Sequence, residues 1–342
     1  MLLLRIKRQR TISTIFLFIF AACSTNEAPK YKLTYPDNIH DEIDATLLLT
    51  DFKTLSSDEF EGRKTGTLGN LKARNFIESK LATFNTLTLL NRHKVNNTKA
   101  SGKGTYRHSF THQSLTKTLN GQNLVALVKG SHYSDKYIVL SAHFDHLGST
   151  GRLIYNGADD NASGTAALLN MAKIISENPL RYSVIFLFTD AEESNLLGAK
   201  AFLNDFMAIV PHIKLNINLD MIAGSKNTKS LHFISKGVDT IIEVPIYLQI
   251  QEDLISHANL SIKKGFRDTN AQGSLVRKKI KWLVASDHGA FNRKKIPFIY
   301  FGVGTHENYH TSDDTFENIN QQFYLLATQA IYRHIRLLDH YL

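Results

Sequence analysis

The chain has 342 residues, of which 43% are hydrophobic, 10% are aromatic and 21% are charged. This composition is typical of a globular protein with a large core, and it excludes a disordered, collagen-like or disulfide-stapled chain. The single cysteine excludes an internal disulfide and a zinc site built from several cysteines. Part of the net charge of +9 comes from the first ten positions, and the remaining excess is too scattered to predict a nucleic-acid partner.

The N-terminus has the order of a secretory signal. Basic residues up to Arg10 are followed by an apolar run over 15–20, and then by the small residues Ala21 and Ala22 before Cys23. The run is much shorter than the roughly 20 apolar residues of a membrane-spanning helix. The pattern resembles a bacterial lipoprotein signal, which implies a lipid on Cys23. The alternative is a plain signal peptide that is cut nearby, with Cys23 incidental.

Both signal types predict an exported protein, and the lipoprotein pattern predicts the periplasmic side of the cell envelope. We expect a signal peptide over 1–22, a polar, proline-containing tether over 23–40 and one domain over 41–342. The membrane is then a partner only through the lipid on Cys23. The sequence predicts no oligomeric state.

Helix and strand patterns alternate through most of the predicted domain. Apolar residues recur at helical spacing over 69–81, 164–175, 196–206 and 321–342. Residues 92–121 are typical of a loop or edge strand, and continuous apolar runs of strand length lie at 137–142, 183–189, 215–219 and 297–303. Runs without alternation indicate strands buried on both faces. The predicted fold class is therefore α/β, a single domain with a mostly parallel central sheet and helices on both faces.

Acids and histidines follow these predicted strands, or precede the helix at 164–175. In chain order they are His143, Asp145, Asp159, Asp160, Glu192, Glu193, Asp220 and His310. Loops at the carboxyl ends of the strands in an open α/β sheet converge on one crevice. Charged groups there are costly unless they are paired or bind a cation. The cluster therefore predicts a metal site.

The types and number of these side chains narrow the choice of metal. Imidazole and carboxylate without thiolate suit zinc, and also cobalt or manganese. A single catalytic zinc takes three protein ligands, and this cluster offers more than that. Five ligands from the cluster would match two metals that share one bridging carboxylate. We expect two divalent ions, with zinc preferred.

Six segments in order resemble the motifs of the secreted di-zinc aminopeptidase family, which also includes glutamate carboxypeptidase and, more remotely, glutaminyl cyclase. They are SAHFDHLG (141–148), NGADDNASG (156–164), TDAEESNLLGAKAF (189–202), NLDMIAG (218–224), ASDHGAF (285–291) and YHTSDDT (309–315). An upstream segment, LSSDEFEGRKTGTLGN (55–70), resembles the N-terminal part of that family. The resemblance implies the family's α/β/α fold, a peptide substrate and release of N-terminal residues.

The resemblance also implies residue roles. Its metal ligands match His143, Asp160, Glu193, Asp220 and His310. Asp160 is then the bridge, His143 and Asp220 complete one site, and Glu193 and His310 complete the other. The family often has a cis peptide after the bridging residue, which here is the bond to Asn161.

Two neighbouring residues have predicted catalytic roles. Asp145 lies two residues after His143, close enough for its carboxylate to accept the second ring N–H and fix the tautomer. Glu192 precedes a ligand and is positioned to take a proton from a metal-activated water and to deliver it to the departing amine. The family gives the matching glutamate the same general-base role.

Several alternatives remain open. His146 is interpreted as a supporting residue, His288 as a pocket residue or a support for Asp287, and His306 as the main rival of His310. A second possible function is a glutaminyl cyclase-like acyltransferase with a single zinc. A third is an inactive binding module on the same fold, which loss of ligands would mark. That the enzyme releases residues from the N-terminus of its substrate, and not from the C-terminus, is implied by the resemblance alone.

Overall fold

The computed structural model describes residues 32–37, 39, 43–84, 87–89, 98–99, 106–257, 259–266 and 280–342. The predicted signal peptide, Cys23 and residues 24–31 of the predicted tether lie outside this part of the chain. Within the tether, the Tyr35 hydroxyl donates a hydrogen bond to Asp253 at 2.9 Å, and Ile39 is buried in the core. Residues 33–342 form one compact unit.

The described residues form helices and strands that alternate from the middle of the chain onward. The helices are α1 (Ala45–Leu55), α2 (Leu68–Leu81), α3 (Gly164–Glu177), α4 (Leu197–Asp205), α5 (Val244–His257), α6 (His288–Arg293) and α7 (Gln321–Tyr341). The strands are β1 (Thr88–Leu89), β2 (Thr98–Lys99), β3 (Arg107–Gln113), β4 (Thr118–Val128), β5 (Tyr133–His143), β6 (Gly148–Thr150), β7 (Leu153–Tyr155), β8 (Tyr182–Thr189), β9 (Ile213–Leu219), β10 (Ser230–Lys236), β11 (Ser261–Lys264) and β12 (Phe298–Gly302).

The main sheet has the strand order β11-β10-β12-β9-β5-β8-β4-β1-β2, and β3 pairs with β4. Its four central strands, β12, β9, β5 and β8, are parallel to one another. Antiparallel pairs flank them on both sides, through β10 and β4. The predicted α/β fold with a mostly parallel sheet is confirmed, and the parallel part is where the predicted strands lie.

Side chains alternate between the two faces of the central strands, so each face has its own core. In β8, Phe186 and Phe188 belong to a large core cluster that includes residues of α1, α3, α5 and α7. Ile185 and Leu187 belong to a second cluster, which includes residues of α4 and α6. Both faces of the sheet are therefore covered by helices, as the unalternating apolar runs predict.

Polar side chains fix the first turns of three helices. Asp44 accepts the N–H of Leu47 at the start of α1 at 2.9 Å, and Asn320 accepts the N–H of Phe323 at the start of α7 at 3.1 Å. Thr67 caps α2 in the same way. Such caps satisfy backbone donors that have no partner inside the helix.

No helix in the described ranges is long and apolar enough to cross a membrane.

Candidate metal centre

The carboxyl ends of the central strands bring the predicted site residues to one edge of the sheet. His143 is the last residue of β5 and pairs with Thr189, the last residue of β8. Asp220 directly follows β9, and Glu192 and Glu193 follow β8 by three and four residues. Because the strands are parallel, these side chains enter the same crevice.

The loop before α3 supplies Asp160. The turn Ala158–Ser163 departs from helical geometry at Asp160 and Asn161, and the peptide bond between these two residues is cis, as expected. The Asn161 side chain donates to the carbonyl of Leu219 and accepts the N–H of Gly164, both at 2.9 Å. This amide therefore ties the Asp160 loop to the end of β9.

Asp314 holds the same loop from the other side. Its two carboxylate oxygens accept the N–H groups of Asp159 at 2.9 Å and Asp160 at 3.1 Å. Asp314 is fully buried. It lies within the YHTSDDT segment, but residue types and spacing gave no reason to assign it this role. Asp314 could have been identified by a general requirement: the buried N–H groups of the Asp160 loop need a hydrogen-bond acceptor.

The first group of metal-capable atoms surrounds His143. Its Nε2 lies 3.2 Å from Asp220 Oδ1 and 3.3 Å from Asp160 Oδ1. All three side chains are buried, and their donor atoms are close enough to share one ion. We call this group the His143 subsite.

The tautomer of His143 suits this arrangement. Nδ1 lies 3.0 Å from the backbone carbonyl of Asp145, so Nδ1–H donates there and leaves Nε2 free to bind a cation. The sequence predicted the carboxylate of Asp145 as the acceptor, but its nearest oxygen is 3.7 Å away. That carboxylate instead accepts the N–H of Glu192 at 3.0 Å. The His143 ring therefore bonds to the backbone carbonyl of Asp145 and not, as expected, to its carboxylate.

The second group of metal-capable atoms surrounds Glu193. His310 Nε2 lies 3.0 Å from Asp160 Oδ2 and 3.6 Å from Glu193 Oε1. His146 Nδ1 lies 3.0 Å from the same Glu193 oxygen and 3.7 Å from Asp160 Oδ2. We call these four residues the Glu193 subsite; the donor atoms of His146, Asp160 and Glu193 all lie within 4.8 Å of one another. Asp160 turns one oxygen to each subsite, so it stands between them.

Three other residues of the sequence analysis lie outside the two subsites. His306 Nε2 is 2.9 Å from Asp159 Oδ2, and the other oxygen of Asp159 accepts backbone N–H groups of Ala223 and Gly224. His288 donates to the carbonyl of Trp282 at 2.7 Å. His306 and His310 were the two candidates for one ligand position, and it is His310 that lies beside Asp160.

Glu192 forms part of the wall of a cavity of about 170 Å³ that both subsites share. Other wall residues include Met221, Trp282, Tyr300 and Tyr309. Burial raises the pKa of Glu192 well above its usual value, and the carboxylates of Glu193 and Asp220 add to this effect. A carboxyl group with a raised pKa is suited to accept and return a proton near neutral pH.

The opposite shift occurs at Asp160. Burial alone would raise the pKa of this carboxyl, but the imidazoles of His146, His143 and His310 outweigh burial and lower it well below the usual range. The pKa of His310 is raised to about 10, because its bonds to Asp160 and Glu193 outweigh the effect of burial. The cluster is thus electrostatically suited to positive charge.

Strained backbone surrounds the site. Ala191, Met221 and His310 have φ values of 58°, 59° and 58°, in the left-handed region that favours glycine. Each of them is a site residue or adjoins one. Such conformations persist where the surrounding structure holds them, and they are frequent at functional sites.

The donor set tests whether a metal fits. It consists of imidazole nitrogens and carboxylate oxygens, which lie 3.2–3.3 Å apart in the His143 subsite and 3.0–3.7 Å apart in the Glu193 subsite. Bonds of about 2.0–2.1 Å to a tetrahedral zinc ion place neighbouring ligand atoms about 3.3 Å apart. The residues therefore fit zinc. The fold and the site together define an α/β protein with a histidine–carboxylate cluster that suits zinc.

Comparison with known proteins identifies the family. The family model of Peptidase family M28 matches residues 123–334, which is more than half of the chain. The chain therefore belongs to this family of peptidases.

A curated relative from Trichophyton verrucosum, named probable leucine aminopeptidase 2, is 28% identical over 294 residues. The match covers 79% of this chain and 54% of the relative. The chain therefore spans about half the length of this curated relative.

Solved structures share the fold. BSAP, a zinc aminopeptidase from Bacillus subtilis, matches with a TM-score of 0.61 at 16% identity, over 86% of this chain and 94% of that protein. The glutaminyl cyclase of Bacteroides thetaiotaomicron matches with a TM-score of 0.60 at 18% identity, over 89% and 99%. At these identities the likeness shows the fold alone, so it does not separate the two activities.

Proposed function

We propose that this protein is an aminopeptidase that uses two divalent ions, with zinc preferred, to hydrolyse the N-terminal peptide bond of its substrate. One observation carries the proposal: Asp160 turns one carboxylate oxygen to His143 and the other to His310. A carboxylate between two donor groups is the arrangement of a two-metal site. His143, Asp160 and Asp220 would hold one ion, and Asp160, Glu193 and His310 the other.

When bound, the two ions would polarise the scissile carbonyl and lower the pKa of a water molecule in the crevice. The chain's own residues do the rest. Glu192 takes the proton of the attacking water and returns it to the amine that leaves. Asp145 accepts the N–H of Glu192 with its carboxylate, which holds the segment that carries Glu192 and Glu193 against the end of β5.

The choice of aminopeptidase over other exopeptidases is supported by the relatives of this chain. The curated relative that covers most of this chain is named a leucine aminopeptidase. The cavity that the subsites share is small, and the part of its wall formed by Met221, Trp282 and Tyr300 suits an apolar side chain next to the cleaved bond, whichever chain end is released.

We also propose that the protein is exported and held at the cell envelope by a lipid on Cys23. The support is the order of basic, apolar and small residues before Cys23. Metabolic labelling with a fatty acid tests this, with Cys23→Ala as the control variant. Label that persists in Cys23→Ala would contradict it.

A scan of amino-acid naphthylamides tests the activity, with N-acetylated versions and glutaminyl peptides alongside. We expect hydrolysis of free-amine substrates, no hydrolysis of acetylated ones, and loss of activity with a chelator that added zinc restores. Pyroglutamate formation without hydrolysis, and one ion per chain, would support the cyclase instead. Neither reaction would support a binding module.

A further inference from the structure

His146 is a second imidazole in the Glu193 subsite. The residue is 1% exposed, whereas the His310 side chain is 32% exposed. The two rings approach edge to face with their centres 5.7 Å apart. The Glu193 subsite is therefore formed by one half-buried and one buried histidine, while the His143 subsite has a single histidine.

The position of His146 Nδ1 matches that of a ligand. It lies 3.0 Å from Glu193 Oε1 and 3.7 Å from Asp160 Oδ2. The corresponding distances for His310 Nε2 are 3.6 Å and 3.0 Å. These four distances lie around the roughly 3.3 Å that separates donor atoms about a tetrahedral zinc ion. A simple hydrogen bond to Glu193 would explain only the shortest distance of His146.

The ring of His146 is fixed in this orientation. A Cβ atom at Gly157 would lie 2.5 Å from its Cγ and Cδ2 atoms, so the backbone of the Asp160 loop packs against the ring. Nε2 is buried and has no hydrogen-bond partner within the described residues. Within the described residues, the polar groups close to the ring are the carboxylates of Glu193 and Asp160. Both lie near Nδ1.

We propose that His146 is a fourth protein ligand of the Glu193 subsite and binds its ion through Nδ1. This rests on the proposed two-ion function. The Glu193 subsite then has four protein donors and the His143 subsite has three. Zinc sites with four protein ligands are closed, and sites with three keep an open position. It follows that the Glu193 subsite holds its ion more tightly and that the open position belongs to the His143 subsite.

Zinc and cobalt titrations against a chromophoric chelator test the proposal in His146→Ala and His146→Asn. Asparagine keeps an N–H donor near the position of Nδ1 but is a poor zinc ligand. We expect wild-type protein to bind two ions of unequal affinity. Both variants should lose at least about a hundredfold in affinity for the tighter ion, since loss of a ligand should exceed the 10–100-fold typical of outer-shell changes.

Two additions keep the result specific. The titrations are repeated in an Asp220→Asn background, in which the remaining tight ion reports the Glu193 subsite. The visible spectrum of bound Co²⁺ should change in both His146 variants. His334→Asn, a buried histidine on α7, serves as the folding control and should keep both affinities.

Three outcomes would overturn the proposal. Wild-type affinity in both variants would show that His146 is not a ligand. Wild-type affinity in His146→Asn alone would show a hydrogen bond from His146 to Glu193. Binding of one ion by the wild-type protein would overturn the two-ion function as well, whereas the first two results leave that function intact.

Discussion

Glu192 and Glu193 are adjacent in sequence but have different surroundings. Burial and Asp160 act to raise the pKa of Glu193, yet its bonds to His146 and His310 outweigh them and lower it to about 2. In the described part of the chain no histidine hydrogen-bonds to Glu192, and burial raises its pKa although the His143 imidazole acts to lower it. One carboxylate is therefore suited to bind a cation and the other to carry a proton.

The substitution Glu192→Gln should lower kcat by about 10²–10⁴-fold, because the variant cannot accept a proton. Metal content and melting temperature should be unchanged, since Glu192 is not among the proposed ligands. Steady-state kinetics with metal analysis measure both. Glu193→Gln is the matched control and should lose metal as well. Turnover of Glu192→Gln within a few-fold of wild type would contradict the general-base role.

Asp287 is a buried acid that the proposed reaction does not use. Thr189 donates a hydrogen bond to its Oδ2, and Oδ1 has no hydrogen-bond partner in the part of the chain that the structure describes. Burial raises the pKa of Asp287 to about 7, with smaller contributions from Asp145 and Asp220. Ionised Asp287 therefore destabilises the folded protein.

The sign of this effect can be tested with Asp287→Asn in metal-free protein. The stabilising effect of the protonated group is fully present below its unfolded pKa of about 4 and is lost as the pH rises through about 7. At pH 8 the variant should therefore have a higher free energy of unfolding than wild type, and most of the gain should be gone by pH 5. Urea unfolding at several pH values measures it, and a gain independent of pH would contradict the assignment.

The candidate site shows what can be read at the scale of single residues. The positions of His143, Glu193, Asp220 and His310 after strands made their convergence predictable, because parallel strands end at one edge. His146 was interpreted as a supporting residue because its position, next to Asp145, gives no information about the direction of its ring. Which group of Asp145 accepts the His143 N–H depends on a local backbone turn, so spacing could not decide it.

At the scale of elements, Arg63 joins the N-terminal helices to the site loops. Its guanidinium donates to the carbonyls of Leu55, Phe144, Asn156 and Gly157 at 2.6–2.8 Å. The last three carbonyls lie in the segments that carry His146 and Asp160. Arg63 is fully buried. One side chain thus links the end of α1 to both loops of the metal centre.

Replacement of Arg63 by methionine should cost at least about 3 kcal/mol in the free energy of unfolding, because several buried carbonyls lose their donors. Urea unfolding measures the change. The control is Lys72→Met, which removes an exposed ion pair with Glu61 at 3.8 Å and should cost less than about 1 kcal/mol. Equal effects of the two substitutions would contradict the linking role.

The elements around the site were the easiest to predict. The apolar runs at 137–142, 183–189, 215–219 and 297–303 match β5, β8, β9 and β12 to within a few residues. These strands are buried on both faces and carry a strong pattern. The flanking strands β10 and β11 and helices α1 and α5 were not predicted. β10 alternates between buried and partly buried residues only over its first four positions, and β11 has four residues of which one is buried, so both patterns are too short for a firm prediction.

At the scale of the whole molecule, the sheet edge collects buried acids that need a cation. The pKa of Asp220 is raised by burial, and Asp160 and Glu193 ionise beside it. Within the described residues, the positive groups that interact with these acids include the histidines and Arg63. Binding of an ion to the folded state alone shifts the folding equilibrium toward that state.

Chelation should therefore lower the melting temperature by several degrees, and added zinc should restore it. The effect should be smaller in Asp160→Asn, since both subsites lose a ligand. Differential scanning calorimetry with and without chelator measures the shift. An identical melting temperature for metal-loaded and metal-free protein would contradict the coupling between the ions and the fold.

The central claim is that two ions share Asp160 in one crevice at the edge of the sheet. Anomalous diffraction at the zinc edge from crystals of the zinc-loaded protein tests it most directly. We predict two peaks, one beside His143 and Asp220 and one beside Glu193 and His310, with Asp160 between them. A single peak, or peaks away from these residues in an active enzyme, would contradict the account.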